Sequence, residues 1–315
     1  MTVSKAIAEF LFHCRIEKNL SSKTLKAYGT DLNQFKDFLQ SSCHLSEIEQ
    51  VTKMELRDFL GSLSGLKPKS VKRKLAATKV FLNFLEFEDK VPVNPFRKMR
   101  IRIKEEKKLP SVMNVREITG ILKKAYDNRQ GKPEESYSYF ESIRNIVVIE
   151  LLFSTGARVS EIANLKIQNI QLDTGSILIK GKGNKERIIH VCNREPIMLL
   201  KKYSSLRKNR MNNSDENFLI NRFSRKLSDQ SIRNIVKKFV SKAGIGRRIT
   251  PHVFRHSFAT LLLEKGVDIR YIQTLLGHSS IVTTQLYTHV NRAKQKQILK
   301  TKHPRKDFSM MQDIE

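Results

Sequence analysis

Along the first hundred residues apolar side chains recur at intervals of three and four, the spacing that lays one side of an α-helix against a core. In SSKTLKAYGTDLNQFKDFLQ the stripe is Leu25, Tyr28, Leu32, Phe35, Phe38 and Leu39, with Ser21 or Ser22 placed to cap the first turn. Thr52 opens a second helix with Leu56, Phe59, Leu60 and Leu63 inward, and Ser70 a third with Val71, Leu75, Val80, Phe81, Phe84 and Leu85 inward. The opposite face of this third helix carries Lys72, Arg73, Lys74 and Lys79. The pattern predicts a small helical domain that presents a basic helix to a polyanion, although a solvated basic face has the same signature.

From Val91 the helical period is lost. In VPVNPFRKMRIRIKEEKKLPSV the prolines Pro92, Pro95 and Pro110 bracket a charged stretch, which predicts a linker. Residues 1–98 are then the N-terminal domain, 99–112 the linker and 113–315 a second domain. That second domain opens with a helix near Asn114 and a strongly apolar helix through IRNIVVIELLF. The period then changes. Across residues 165–191 the segments LKIQNIQL, GSILIK and ERIIHV alternate or cluster β-branched residues, separated by turns at Asp173-Thr174-Gly175 and Gly181-Lys182-Gly183-Asn184. A small antiparallel sheet follows from this. Helices return, one opened by Thr250-Pro251 and closed at Gly266, the next running from Asp268 to Gly277. The fold class is mainly α with a small antiparallel β-sheet in the second domain.

Charge changes the picture. The chain has 59 Lys and Arg against 31 Asp and Glu, a net +28, which makes nucleic acid the leading partner class. The excess is local: residues 51–104 hold fourteen basic and five acidic side chains, residues 201–250 fourteen and three, whereas residues 1–50 are neutral. Two separated basic stretches suggest a clamp whose two lobes close on a DNA duplex. No apolar run approaches the ~18 residues of a membrane span, and no signal peptide is visible. Cys14, Cys43 and Cys192 are too scattered for a disulfide framework or a metal knuckle, so reduced thiols in a cytoplasm are expected.

The chemistry-bearing residues are spread over the second domain. They are Arg158 in TGARVSE, Lys182 in GKGNKER, His252 and Arg255 in TPHVFRHSFAT, His278 in LLGHSS and Tyr287 in TTQLYTH. His252 and Arg255 lie three apart near a helix N-terminus, where the helix dipole favours an anion. Arginine suits a phosphate because its planar fork binds two oxygens at once and stays charged. Arg158 also has a plainer use, bridging to Glu161 three residues on. His252 and His256 form an H-x-x-x-H pair, but Val253 stands where a zinc hydrolase has its glutamate, and His256 is expected to pack or cap locally. The GKGNKER turn lacks phosphate-loop spacing. Tyr271 is expected to face the core beside Leu275.

The order of these boxes resembles the tyrosine recombinase (phage integrase) family, and within it the Xer-like members. The resemblance spans nearly the whole chain: a helical core-binding domain, then a catalytic domain. It implies that Arg158 is the arginine of the T-G-x-R-x-S-E box, supported by Glu161, and that Lys182 is the lysine of the β-hairpin turn. His252 with Arg255 match the H-x-x-R box, His278 the L-G-H box, and Tyr287, nine residues later, the nucleophile. The implied reaction is attack of Tyr287 on a backbone phosphorus, giving a 3′-phosphotyrosyl link and a free 5′-hydroxyl, without ATP, cofactor or metal. Arg158, Arg255 and His278 would stabilise the phosphorane, Lys182 would protonate the leaving 5′-oxygen, and His252 would take the tyrosine proton. The resemblance further implies a homotetramer on two DNA sites, passage through a Holliday junction, and a C-terminal helix with Ile298 and Leu299 that contacts a neighbouring subunit or its own chain. An accessory protein is left open. Rival readings are an architectural DNA-binding protein and a type IB topoisomerase-like enzyme.

Overall fold

The computed structural model describes residues 1–105, 111–181, 186–210, 216–277 and 292–310, with side chains from residue 296 onward in the last segment. Two compact units divide the chain, Met1–Lys108 and Leu109–Glu315.

The first unit is built from α1 (Val3–Ile16), α2 (Ser22–Ser42), α3 (Lys53–Ser62) and α4 (Pro68–Phe87). Ser21 caps α2, and Thr52 caps α3 in a reciprocal box with Glu55. The first helix is an addition to the elements that periodicity predicts. Thr2 caps it, and Val3, Ile7, Phe10 and Cys14 supply its buried side. The core joins Phe10 to Phe81, with ring centroids 5.5 Å apart, and Phe35 to Phe59 at 4.9 Å. Such tilted and edge-on aromatic pairs pack better than face-to-face ones.

Two expectations for α4 are corrected. It begins at Pro68, before Ser70, because proline's fixed φ and missing N–H suit the first helical position. Its buried stripe also rotates: Val80 is exposed, Leu82 is buried, and Lys74 turns inward. Lys74 lies between Val71 and Leu75 on the inward arc, and its Nζ meets Asp31 Oδ1 at 3.1 Å and also Gln34. Asp31 itself occupies the buried stripe of α2 and is paired a second time by Arg73. Lys74 therefore neutralises a buried carboxylate instead of facing outward, while Lys72 and Lys79 remain exposed. Met99, Ile101 and Ile103 pack on this core, so the first residues of the expected linker belong with the helical unit.

In the second unit α5 (Val115–Asp127) carries a capping box between Asn114 and Glu117. Helix α6 (Tyr137–Thr155) is buried on every side from Ser142 to Thr155, as its unbroken apolar run demands. After α7 (Val159–Ala163) comes an antiparallel sheet of β1 (Ile170–Gln171), β2 (Ser176–Lys180) and β3 (Glu186–His190), in that order. Its register sets Ile177 opposite Ile189 and Ile179 opposite Arg187. Helices α8 (Arg194–Lys208), α9 (Asp229–Lys242), α10 (Pro251–Glu264), α11 (Ile269–Leu276) and α12 (Arg292–Lys302) complete it. Among the described residues no helix is long and apolar enough to cross a membrane.

The C-terminal segment packs on its own chain. Leu299 is fully buried in the core of the second unit and Ile298 lies against it. Beyond α12, Arg305 pairs with Glu150 Oε1 at 2.9 Å and Glu195 Oε2 at 2.5 Å, all three buried. A carboxylate at the centre of α6 needs a cation, and Arg305 supplies it.

Candidate active site at the end of helix α11

The site is assembled by chain reversals. Helix α6 ends at Gly156, whose φ of +57° is left-handed and where an added Cβ would lie 2.6 Å from Phe258, so only glycine fits. The reversal makes Arg158 the N-cap of α7. Glu161 closes the cap, accepting the Arg158 backbone N–H at 2.7 Å and its Nη1 at 2.9 Å. Arg158 Nη2 also reaches the carbonyl of Gly277 at 3.4 Å, so the expected bridge to Glu161 is present together with a long-range contact.

Pro251 at the start of α10 brings in the second box. Arg255 is buried, donating through Nη1 to the carbonyl of Gly156 at 2.9 Å and through Nη2 to that of Leu276 at 2.7 Å. Burial first, and then the charge of Arg158, push its pKa down to about 10, which still leaves it cationic at neutral pH. His252 is exposed at the mouth, and its pKa falls below the usual value through partial burial and the nearby His256, Arg233, Arg255 and Arg158. A depressed pKa keeps this imidazole neutral and able to accept a proton. His256 is exposed one turn on, and does not pack as expected.

Arg187 closes the GKGNKER segment but was not singled out there as a site residue. Its side chain, 11% exposed, donates from Nη1 and Nη2 to the two Glu161 oxygens at 3.0 and 2.8 Å, and from Nε to the carbonyl of Leu275 at 2.8 Å. The detectable signal was a charge on the inward register of a strand, across from Ile179 and two residues before buried Ile189. Burial would raise the Glu161 carboxyl, but hydrogen bonds and charge from Arg187, then Arg158, hold it below the ordinary range. Arg158 and Arg187 thus bond one carboxylate while Arg255 lies near enough to feel its charge, and each of the three donates to one of the consecutive carbonyls of Leu275, Leu276 and Gly277. The surplus positive charge, partly removed from water, is what a phosphate diester would neutralise. Lys182, His278 and Tyr287 lie outside the described residues. Tyr271 is half-buried against the core, as expected.

The comparisons agree with this architecture. Residues 132–294 match the Phage integrase family and residues 7–89 match the Phage integrase, N-terminal SAM-like domain. The chain belongs to the phage integrase family. It is 42% identical to a tyrosine recombinase of Agathobacter rectalis, over 96% of this chain and 97% of that one. It is 35% identical to the tyrosine recombinase XerD of Staphylococcus aureus, over 95% and 98% of the two chains. The fold is shared with the XerH site-specific recombinase in a post-cleavage complex with palindromic difH substrate, at a TM-score of 0.69 and 24% identity, over 94% of this chain and 83% of that one.

Proposed function

We propose that the chain is a site-specific DNA recombinase that cleaves and rejoins double-stranded DNA through a 3′-phosphotyrosyl bond on Tyr287. The observation that carries this reading is the convergence of Arg158 and Arg255 on the adjoining carbonyls of Gly277 and Leu276, beside the Glu161 carboxylate. Two guanidinium groups fixed in place before substrate arrives stabilise a phosphorane without reorganising, a contribution of about 3 kcal/mol or more per donor. His278 follows Gly277 directly in the chain and is assigned a further donor role. Neutral His252 takes the Tyr287 proton and Lys182 returns one to the departing 5′-oxygen. The phosphotyrosyl bond conserves the energy of the broken ester, so rejoining needs no ATP.

The helical domain of residues 1–98, through Lys72, Arg73 and Lys79, and the catalytic domain of residues 113–315 each contact the duplex in this reading. Four protomers act on two sites through a Holliday junction, and the protein works beside the chromosome in the cytoplasm. Fragmented genomic DNA incubated with the protein and then denatured should yield covalent protein–DNA adducts, with Tyr287→Phe abolishing them and Tyr271→Phe leaving them. Adducts that persist in Tyr287→Phe would refute the assignment. Exchange between two captured sites, assayed beside plasmid relaxation, separates a recombinase from a topoisomerase-like enzyme.

A further inference from the structure

Arg187 joins three separate pieces of the catalytic unit. It stands on β3, at the end of the hairpin that carries Lys182 in sequence. Both oxygens of Glu161, the residue that caps and orients Arg158, accept its fork, and its Nε holds the carbonyl of Leu275 in the last turn of α11. The backbone of Gly277 closes over it so tightly that an added Cβ would sit 3.1 Å from Nη1. Three of the five N–H donors of Arg187 are taken, two of them by the carboxylate that orients Arg158, so its guanidinium acts directly on other residues of the site.

We infer that Arg187 is a positioning residue of the cleavage step: its guanidinium fixes the Arg158–Glu161 pair and the C-terminal turn of α11 in one geometry. This rests on the recombinase reading above. The shape of the group matters more than its charge. A lysine ammonium keeps the charge but is a single point, unable to span both carboxylate oxygens and a carbonyl on another element. Removing the fork leaves two of the three arginine contacts to the carbonyl end of α11, those of Arg255 and Arg158 at 2.7 and 3.4 Å, beside the apolar packing of Ile272, Leu275 and Leu276. A displacement of about 1 Å at a catalytic group costs on the order of 100-fold in rate.

The test compares wild type, Arg187→Lys, Arg187→Gln, Glu161→Gln and the double variant Arg187→Gln/Glu161→Gln on a duplex recovered from wild-type adducts. At saturating DNA both Arg187 variants should form adduct about 100-fold more slowly, with DNA affinity within about 2-fold of wild type. Lysine should be no better than glutamine, and the double variant should be little slower than the slower single one. In the protein without DNA, hydrogen exchange should quicken in the last turn of α11 in Arg187→Lys, which retains the charge and hence the fold, and stay unchanged in α6. Near-wild-type cleavage by Arg187→Lys would make the residue a charge donor and overturn the proposal. Unaltered exchange in α11 would overturn it too, even if wild-type protein forms no adducts and the recombinase reading fails. Loss of DNA affinity in step with rate would show instead that Arg187 binds DNA.

Discussion

Acid should unfold the catalytic unit through a histidine remote from the chemistry. His303, just past α12, is wholly buried between the rings of Phe153 and Phe258. Its Nδ1 accepts the Arg305 backbone N–H at 2.9 Å, so the ring proton belongs on Nε2, which faces the carbonyl of Ser154 at 3.2 Å. A second proton would have to enter Nδ1 against that N–H. Burial outweighs the opposing hydrogen bond to the Ser154 carbonyl and, with lesser help from the charges of Arg305 and Lys265, lowers the pKa from 6.5 to about 4. The folded state therefore refuses a proton that the unfolded chain accepts below 6.5, and stability falls as pH drops through that window. One proton is worth about 1.4 kcal/mol per pH unit, so the loss approaches about 3 kcal/mol by pH 4 and is absent at pH 7. The chain has no tryptophan, and six of its seven tyrosines lie beyond residue 109, so tyrosine fluorescence reports urea unfolding of this unit. In His303→Gln, which keeps a donor for Ser154 and does not titrate, the decline from pH 7 to 4 should be shallower by that amount. Glu161 and Glu195, both held below the ordinary carboxyl range, contribute to the two proteins alike and cancel in the difference. Parallel stability curves for wild type and variant would refute the linkage.

DNA binding should weaken steeply with salt, and neutralising exposed Lys72 and Lys79 should flatten the slope of log K against log salt by about 0.9 for each phosphate that then keeps its counterion. Lys74→Met should leave that slope unchanged and lower the thermal midpoint, because this lysine is engaged with Asp31. Lys182→Ala should slow cleavage of ordinary DNA severely but cleave a 5′-bridging phosphorothiolate nearly as well as wild type, since sulfur leaves without a proton; Arg158→Ala and Arg255→Ala should gain nothing from sulfur. Equal rescue of all three would show Lys182 to be a phosphate ligand only.

What the sequence made legible was what local rules control. Caps at Ser21, Thr52 and Asn114, the αL stop at Gly277 and the alternation through β2 and β3 all act within a few residues, and each element lies where its pattern put it. Arg158, Glu161, His252 and Arg255 stood out as candidates because they sit in compact boxes. Hidden were charges whose partner lies far along the chain. Lys74 looks like one more residue of a basic face until Asp31, 43 positions earlier, is seen to be buried beside it. Arg305 lies in a tail of lysines, and the distant carboxylates of Glu150 in α6 and Glu195 in α8 explain why it is wholly covered.

Arg187 shows what such long-range pairing does for function. The motif boxes supply the ionic groups, but nothing inside a box fixes its distance from the next. That distance is set where Leu275, Leu276 and Gly277 offer successive carbonyls, the partially negative end of α11, to Arg187, Arg255 and Arg158 in turn. Each arginine comes from a different element, so the end of this short helix acts as a common reference point for the hairpin, the first box and the second. Binding a phosphate there would draw on charges already aligned by backbone carbonyls and one carboxylate, with little reorganisation left for the moment of reaction. Rearranging any one of the three arginines then disturbs the other two, which is why Arg187, committed to Glu161 and Leu275, is expected to govern the rate.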